Sequence, residues 1–130
     1  MSWRLARGLE KLRSQVNIRH PNRNKRSDGT IGDRAHASRA SDHNPVGGIV
    51  HALDLTHDPA HGFNAHDLVE RIRQSKDARV SYLISNRRIC SSTKAPWTWR
   101  KYTGSNPHSS HVHISIRRNP HADNQKAWDI

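Results

Sequence analysis

The chain is short of cysteine: Cys90 is the only one in 130 residues, which excludes an intrachain disulfide framework and a cysteine-rich zinc finger. Any metal must therefore sit on histidine and carboxylate. Acidic residues are also scarce, with Asp+Glu 11 against Lys+Arg 22, and the resulting formal charge of +11 makes the surface cationic and the partner anionic. Nucleic acid, an acidic membrane face and an anionic cell-wall polymer all fit such a field, and charge alone does not choose among them. Long hydrophobic runs are missing as well. The N-terminal "MSWRLARGLEKLRSQV" has no apolar core of signal-peptide length, and no segment approaches the ~20 apolar residues of a membrane span. The expectation is a chain made in the cytoplasm without a signal peptide, for which any export needs help.

What is present suffices for one domain with a modest core, spanning residues 1–130. Leu5, Leu9, Leu12 and Val16 form a single apolar stripe at helical spacing. A basic loop follows over 17–41, with Pro21 and Asp28-Gly29 as turn signals and a short helical turn that Asp33 could cap. Ile49 to Leu55 is apolar on both faces and reads as a central strand. Asn64 as N-cap and the face Ala65, Leu68, Val69 and Ile72 predict a helix over 64–75. Alternation in "VSYLISNRRICSS" around Asn86-Arg87 predicts a hairpin. An aromatic loop then leads into the alternating strand "HVHISI", and the tail 117–130 is polar, with Trp128 expected to pack back. The order of elements predicts an α+β fold, a small antiparallel sheet flanked by helices.

Chemistry concentrates in two places. In "HVHISI", His111 and His113 share one strand face while Val112, Ile114 and Ile116 face the core. Among eleven histidines such a pair also arises by accident, so it gains meaning only with a third partner. Asp54 is that candidate: a carboxylate inside "VHALDL" is costly to bury unless it pairs with a cation, either an arginine or a metal. His43 lies across the flexible "NPVGG" from that strand and can return to its end. Ligands of the kind His, Asp and His leave one tetrahedral position open on zinc, as in catalytic sites. There a water of pKa lowered to ~7 and a polarised carbonyl would make amide hydrolysis accessible. His51 should face away from Asp54, and His57, His61 and His66 read as surface residues.

The segment "SDHNPVGGIVHALD" resembles the Ser-x-His...Gly-x-x-x-Ala-x-Asp signature of zinc D-Ala-D-Ala carboxypeptidases and L-alanyl-D-glutamate-type peptidoglycan peptidases, and "SSHVHISI" resembles their closing strand. With "RSDGTIGDRAHASRASDHNP", "YLISNRRI" and "WRKYTGSNPHSSHVHISI", the likeness to catalytic domains of actinobacterial phage endolysins runs from about Leu5 to Ile116. It implies the hedgehog/DD-peptidase fold, one zinc ion per chain on His43, Asp54 and His113, and His111 as the group that handles the proton. Ser41 matches a serine bordering the substrate and supporting the first ligand, although a plain turn hydroxyl fits it equally. The carboxypeptidases place a glutamate three residues before the last histidine. Here that position is Ser110, so the proton role falls to His111, with His108 as helper or as an ordinary loop residue.

Tyr82 could polarise a substrate carbonyl or simply pack; Trp97, Trp99 and Tyr102 could floor a groove or complete a core; Asp28 and Asp33 could brace the basic loop. The activity implied is cleavage of an amide in bacterial peptidoglycan by a monomer held near anionic wall polymers, without specific nucleic-acid binding, after release through a holin-like lesion. Two alternatives start from the same residues. "DHNPVGG" also looks like the start of an HNH nuclease, but Asn64 and His66 are too close together for its second half, and "HVHISI" would be left unexplained. A non-catalytic zinc-containing wall-binding domain is the other.

Overall fold

A computed structural model describes residues 3–30 and 41–130. Within them the fold is α+β: two helices and a five-stranded antiparallel sheet, with a small parallel pair beside it. Strand β1 (Arg4–Leu5) leads into α1 (Arg7–Arg19), followed by β2 (Ile49–Val50), β3 (Ala52–Thr56), α2 (Ala65–Ser75), β4 (Val80–Ser85), β5 (Arg88–Ser91), β6 (Arg100–Lys101) and β7 (His111–Ile116). The sheet order is β3-β7-β4-β5-β6, while β1 pairs with β2. No helix among the described residues is long and apolar enough to cross a membrane.

Alternation along the strands assigns each sheet face a separate task. Val112, Ile114 and Ile116 point to one side with Leu53, Leu55 and Leu83, and all six are at most 1% exposed. Leu68, Val69 and Ile72 of α2 complete this core, and each such side chain contributes about 1.5–3 kcal/mol by burial. Helix α2 forms where expected because the Asn64 side chain accepts from the Asp67 N–H and satisfies one of its free amides. The opposite face of β7 carries His111, His113 and Ser115. Register places Asp54 opposite His113 on one side of β7, and Ile84 and Tyr82 opposite His113 and Ser115 on the other.

Two outlying segments brace this frame. The tail packs onto α1: Trp128 is 3% exposed and donates from Nε1 to the Gly8 carbonyl at 2.8 Å. The Arg79 guanidinium lies over its ring at 3.8 Å. A side chain at Gly8 would sit 2.8 Å from the Ala122 carbonyl, so only glycine lets the tail approach so closely. On the other side, Gly29 forms an antiparallel bridge with Asp54 along the free edge of β3. The loop is pinned there by Arg23, whose buried guanidinium holds Asp28 at 3.0 and 2.7 Å, while Asp28 accepts from the Thr56 N–H and hydroxyl at 2.9 and 2.7 Å.

Several expectations need correction. Leu5 belongs to β1, and the helix begins after it and runs to Arg19, into the start of the expected 17–41 loop. The stretch Ile49–Leu55 is two strands broken at His51, and β3 lies at the edge of its sheet. Its apolar outer residues read as central because β2 meets β1 and the Gly29 segment covers β3. The short β6 carried no alternation long enough to find. Asp33 lies outside the described residues.

Candidate metal centre

His43, Asp54 and His113 converge, although the chain separates the two histidines by 70 residues. Their atoms form a triangle: His43 Nε2 to His113 Nδ1 is 3.2 Å, His43 Nε2 to Asp54 Oδ1 is 3.3 Å, and His113 Nδ1 to Asp54 Oδ1 is 3.0 Å. Ligands about 2.0–2.1 Å from a tetrahedral ion stand roughly 3.3 Å apart, so the edges match those of a metal site. Both histidines are buried, at 6% and 5% exposure.

Which ring nitrogen faces the triangle is set from behind. His43 Nδ1 lies 2.6 Å from the Thr30 carbonyl, which only accepts, so Nδ1 carries the proton and Nε2 is left with its lone pair. His113 Nε2 lies 2.7 Å from the fully buried Ser115 hydroxyl, which leaves Nδ1 turned inward. Ser41 Oγ accepts from the His43 N–H at 3.2 Å and fixes the backbone of that residue. Burial would raise the Asp54 carboxyl, but its close contacts with the His113 and His43 imidazoles override it and hold the group far below the ordinary carboxylate range. Burial pushes His43 down, and its contact with Asp54 reverses the shift and raises it. With both imidazoles neutral, the three groups offer one carboxylate charge and two lone pairs at a point where a cation could be held.

His111 stands beside this group, its Nε2 3.8 Å from Asp54 Oδ2. Burial lowers its proton affinity, against the pull of Asp54. His108 meets it edge-on, with ring centres 4.8 Å apart. Burial, then the neighbouring His111 and His113, push His108 down to about 4, so it is neutral at pH 7. Its Nδ1 lies 2.8 Å from the Asn106 carbonyl, so the other nitrogen is the acceptor. His108 adopts φ 55°, a conformation uncommon for a non-glycine residue. It is held by the Asn86-Arg87 turn, whose N–H groups donate to the carbonyls of His108 and Pro107 at 2.9 and 2.8 Å.

A cleft of about 670 Å³ opens over these side chains, lined also by Ser27, Ser41, Tyr82, Ile84, Tyr102, Asn106 and Ser110. Tyr82 stacks on His113 at 5.3 Å with 14° between the rings. Burial raises its hydroxyl to about 12, so it keeps its proton. Tyr102 forms part of the wall, against His108.

Trp97 and Trp99 do not line the cleft. Both pack against the core, and Trp99 gives its indole N–H to Glu70 of α2 at 2.8 Å. His51 is buried at 5% exposure, away from the site. His66 is more than a surface residue: it bridges the Ser85 hydroxyl at 2.6 Å and the Ser109 carbonyl at 2.9 Å, tying α2 to the approach to β7. Sequence reasoning missed Ser115 and the Thr30 carbonyl. For Ser115 a signal existed, since residue i+2 from His113 shares its strand face; a backbone carbonyl has no signature. Compared with models of protein families, with curated proteins and with solved structures, the chain finds no match.

Proposed function

We propose that the chain is a zinc-dependent peptidase of bacterial peptidoglycan, of the hedgehog/DD-peptidase fold and endolysin-like, cutting an amide of the stem peptide or its cross-bridge. One observation carries the reading: three lone-pair donors, His43 Nε2, Asp54 Oδ1 and His113 Nδ1, form a triangle with 3.0–3.3 Å edges, with a further imidazole, His111, alongside and an open cleft above. The His, Asp, His donor set suits zinc and leaves a fourth position open. A zinc ion there would supply Lewis acidity, polarising a carbonyl and acidifying a water.

The rest falls to the protein's own residues. His111, kept neutral by burial, is placed to take a proton from the attacking water and return it to the leaving amine. His108, also neutral, can accept a hydrogen bond beside it. Ser115 and the Thr30 carbonyl keep the ligand nitrogens facing inward. Choice of peptidoglycan as the substrate rests on the motif resemblance, and the net charge of +11 accords with retention on anionic wall polymers.

The test is digestion of purified cell walls and of plasmid DNA by the protein, with and without chelator, alongside metal analysis. One zinc per chain, release of free amino groups from walls, and loss of that release in His111→Ala or with chelator are expected. Nicked DNA with intact walls would replace the reading by a nuclease. Zinc bound without cleavage of either would replace it by a wall-binding domain.

A further inference from the structure

The register of the sheet places a row of residues across all five strands at one level: Asp54, His113, Ile84, Ile89 and Arg100. Directly paired residues point to the same face, so Arg100 shares its face with the metal-centre candidates, at the far edge of the sheet. With strands about 4.8 Å apart, three strand gaps separate His113 from Arg100 by roughly 14 Å. In register between them are the apolar residues Ile84, which lines the cleft, and Ile89.

A second path leads to the same place. From His111 the wall runs through His108 to Tyr102, with ring centres 4.8 and 5.7 Å apart. The Tyr102 N–H continues the β5-β6 ladder to the Arg87 carbonyl at 2.9 Å. Tyr102 therefore follows the strand alternation and faces the same way as Arg100, two residues earlier.

Arg100 lacks the partner that several other arginines have. The buried or half-buried arginines Arg23, Arg73 and Arg79 each hold a carboxylate, those of Asp28, Glu70 and Asp77, and the half-buried Arg117 holds the Val80 carbonyl and the Ser92 hydroxyl. Arg100 holds no carboxylate among the described residues. Its Nε is one of two buried side-chain polar atoms without a partner among the described residues. A guanidinium at the end of this row, with no carboxylate partner among the described residues, is suited to receive one from a ligand in bidentate fashion.

We propose that Arg100 is a substrate-binding residue, a carboxylate subsite at the far end of the sheet face that carries the metal-centre candidates, in register with His113 through Ile84 and Ile89. The inference rests on the peptidase reading and narrows its substrate class to peptides with a free carboxylate about four residues from the bond cut, since an extended chain advances about 3.3–3.6 Å per residue.

The experiment compares a soluble stem peptide with its carboxylates free against the same peptide with them amidated, on wild type, Arg100→Gln and Arg100→Lys, each checked by thermal melting and by calorimetric binding. Wild type is expected to favour the free acid by about 10- to 100-fold, through KM with kcat little changed, as for a charged hydrogen bond. Arg100→Gln is expected to treat both peptides alike, and Arg100→Lys to recover part of the preference. If wild type cleaves both peptides equally, or Arg100→Gln keeps the preference, the subsite is wrong and the peptidase stands. If wild type neither binds nor cleaves either peptide, the peptidase reading falls and the subsite with it.

Discussion

Two buried or half-buried carboxylates sit a few residues apart in space and are neutralised in opposite ways. Asp28 meets the fixed guanidinium of Arg23, whose side chain is 0% exposed, and two groups of Thr56. Asp54, bridged to the adjacent Gly29, meets only imidazoles, from His43 and His113, with His111 a little farther off. A guanidinium cannot give up its charge at any relevant pH, so the first arrangement is permanent and structural. Imidazoles can shed theirs near neutrality, so the second can exchange protons for a metal ion. The same residue type thus braces the fold in one place and could hold a cation in the other, and the partner decides which.

The sharpest way to break this contrast is to remove each carboxylate's role in turn. Asp54→Ala should lose stoichiometric zinc, measured by metal analysis after dialysis of the folded protein; retained zinc would end the metal-centre reading. Arg23→Ala should leave the three donors in place but cost about 3–5 kcal/mol of stability in chemical denaturation, because it strands a buried carboxylate. Ser115→Ala should fall between these, weakening zinc affinity 10- to 100-fold in a chelator competition with the fold intact, since it frees the orientation of His113.

The smallest effect expected is that of acid. The Asp28 and Asp77 carboxyls are both lowered, because bonds from Arg23 and Thr56 in one case and Arg79 in the other outweigh burial. Their contribution to stability is complete above the ordinary carboxylate range near 3.9 and is lost as pH falls through their lower folded values. Thermal melts of metal-free protein should therefore decline below pH 4, and Asp28→Asn should flatten that decline while lowering the plateau.

The candidate site was legible in sequence wherever side-chain chemistry and strand alternation coincide. His111 and His113 declared a shared face, and Asp54 was conspicuous because its neighbours Leu53 and Leu55 are fully buried. The helix over Ala65–Ser75 and the hairpin around Asn86-Arg87 were legible from a cap and a turn. What escaped depended on tertiary placement. Nothing local says that the backbone of Gly29 and Thr30 would line the edge of β3, making an edge strand look central. The tryptophans stayed open between groove and core because an aromatic loop suits both, and Glu70, which claims the Trp99 indole, lies on another element. Arg100 carries no signal of its own in the sequence, and only the register sets it in line with His113.

The separation of the ligands along the chain has a further consequence. His43 and Asp54 lie 70 and 59 residues from His113, so an ion gripped by all three would act as a removable crosslink in a chain whose single cysteine is buried and free. By the polymer estimate, closing a loop of about 70 residues restricts the unfolded chain by roughly 4 kcal/mol. Loading and removing the ion would then change how often β3 and β7 part. Amide exchange along those two strands should register the metal even under conditions in which nothing is being cut.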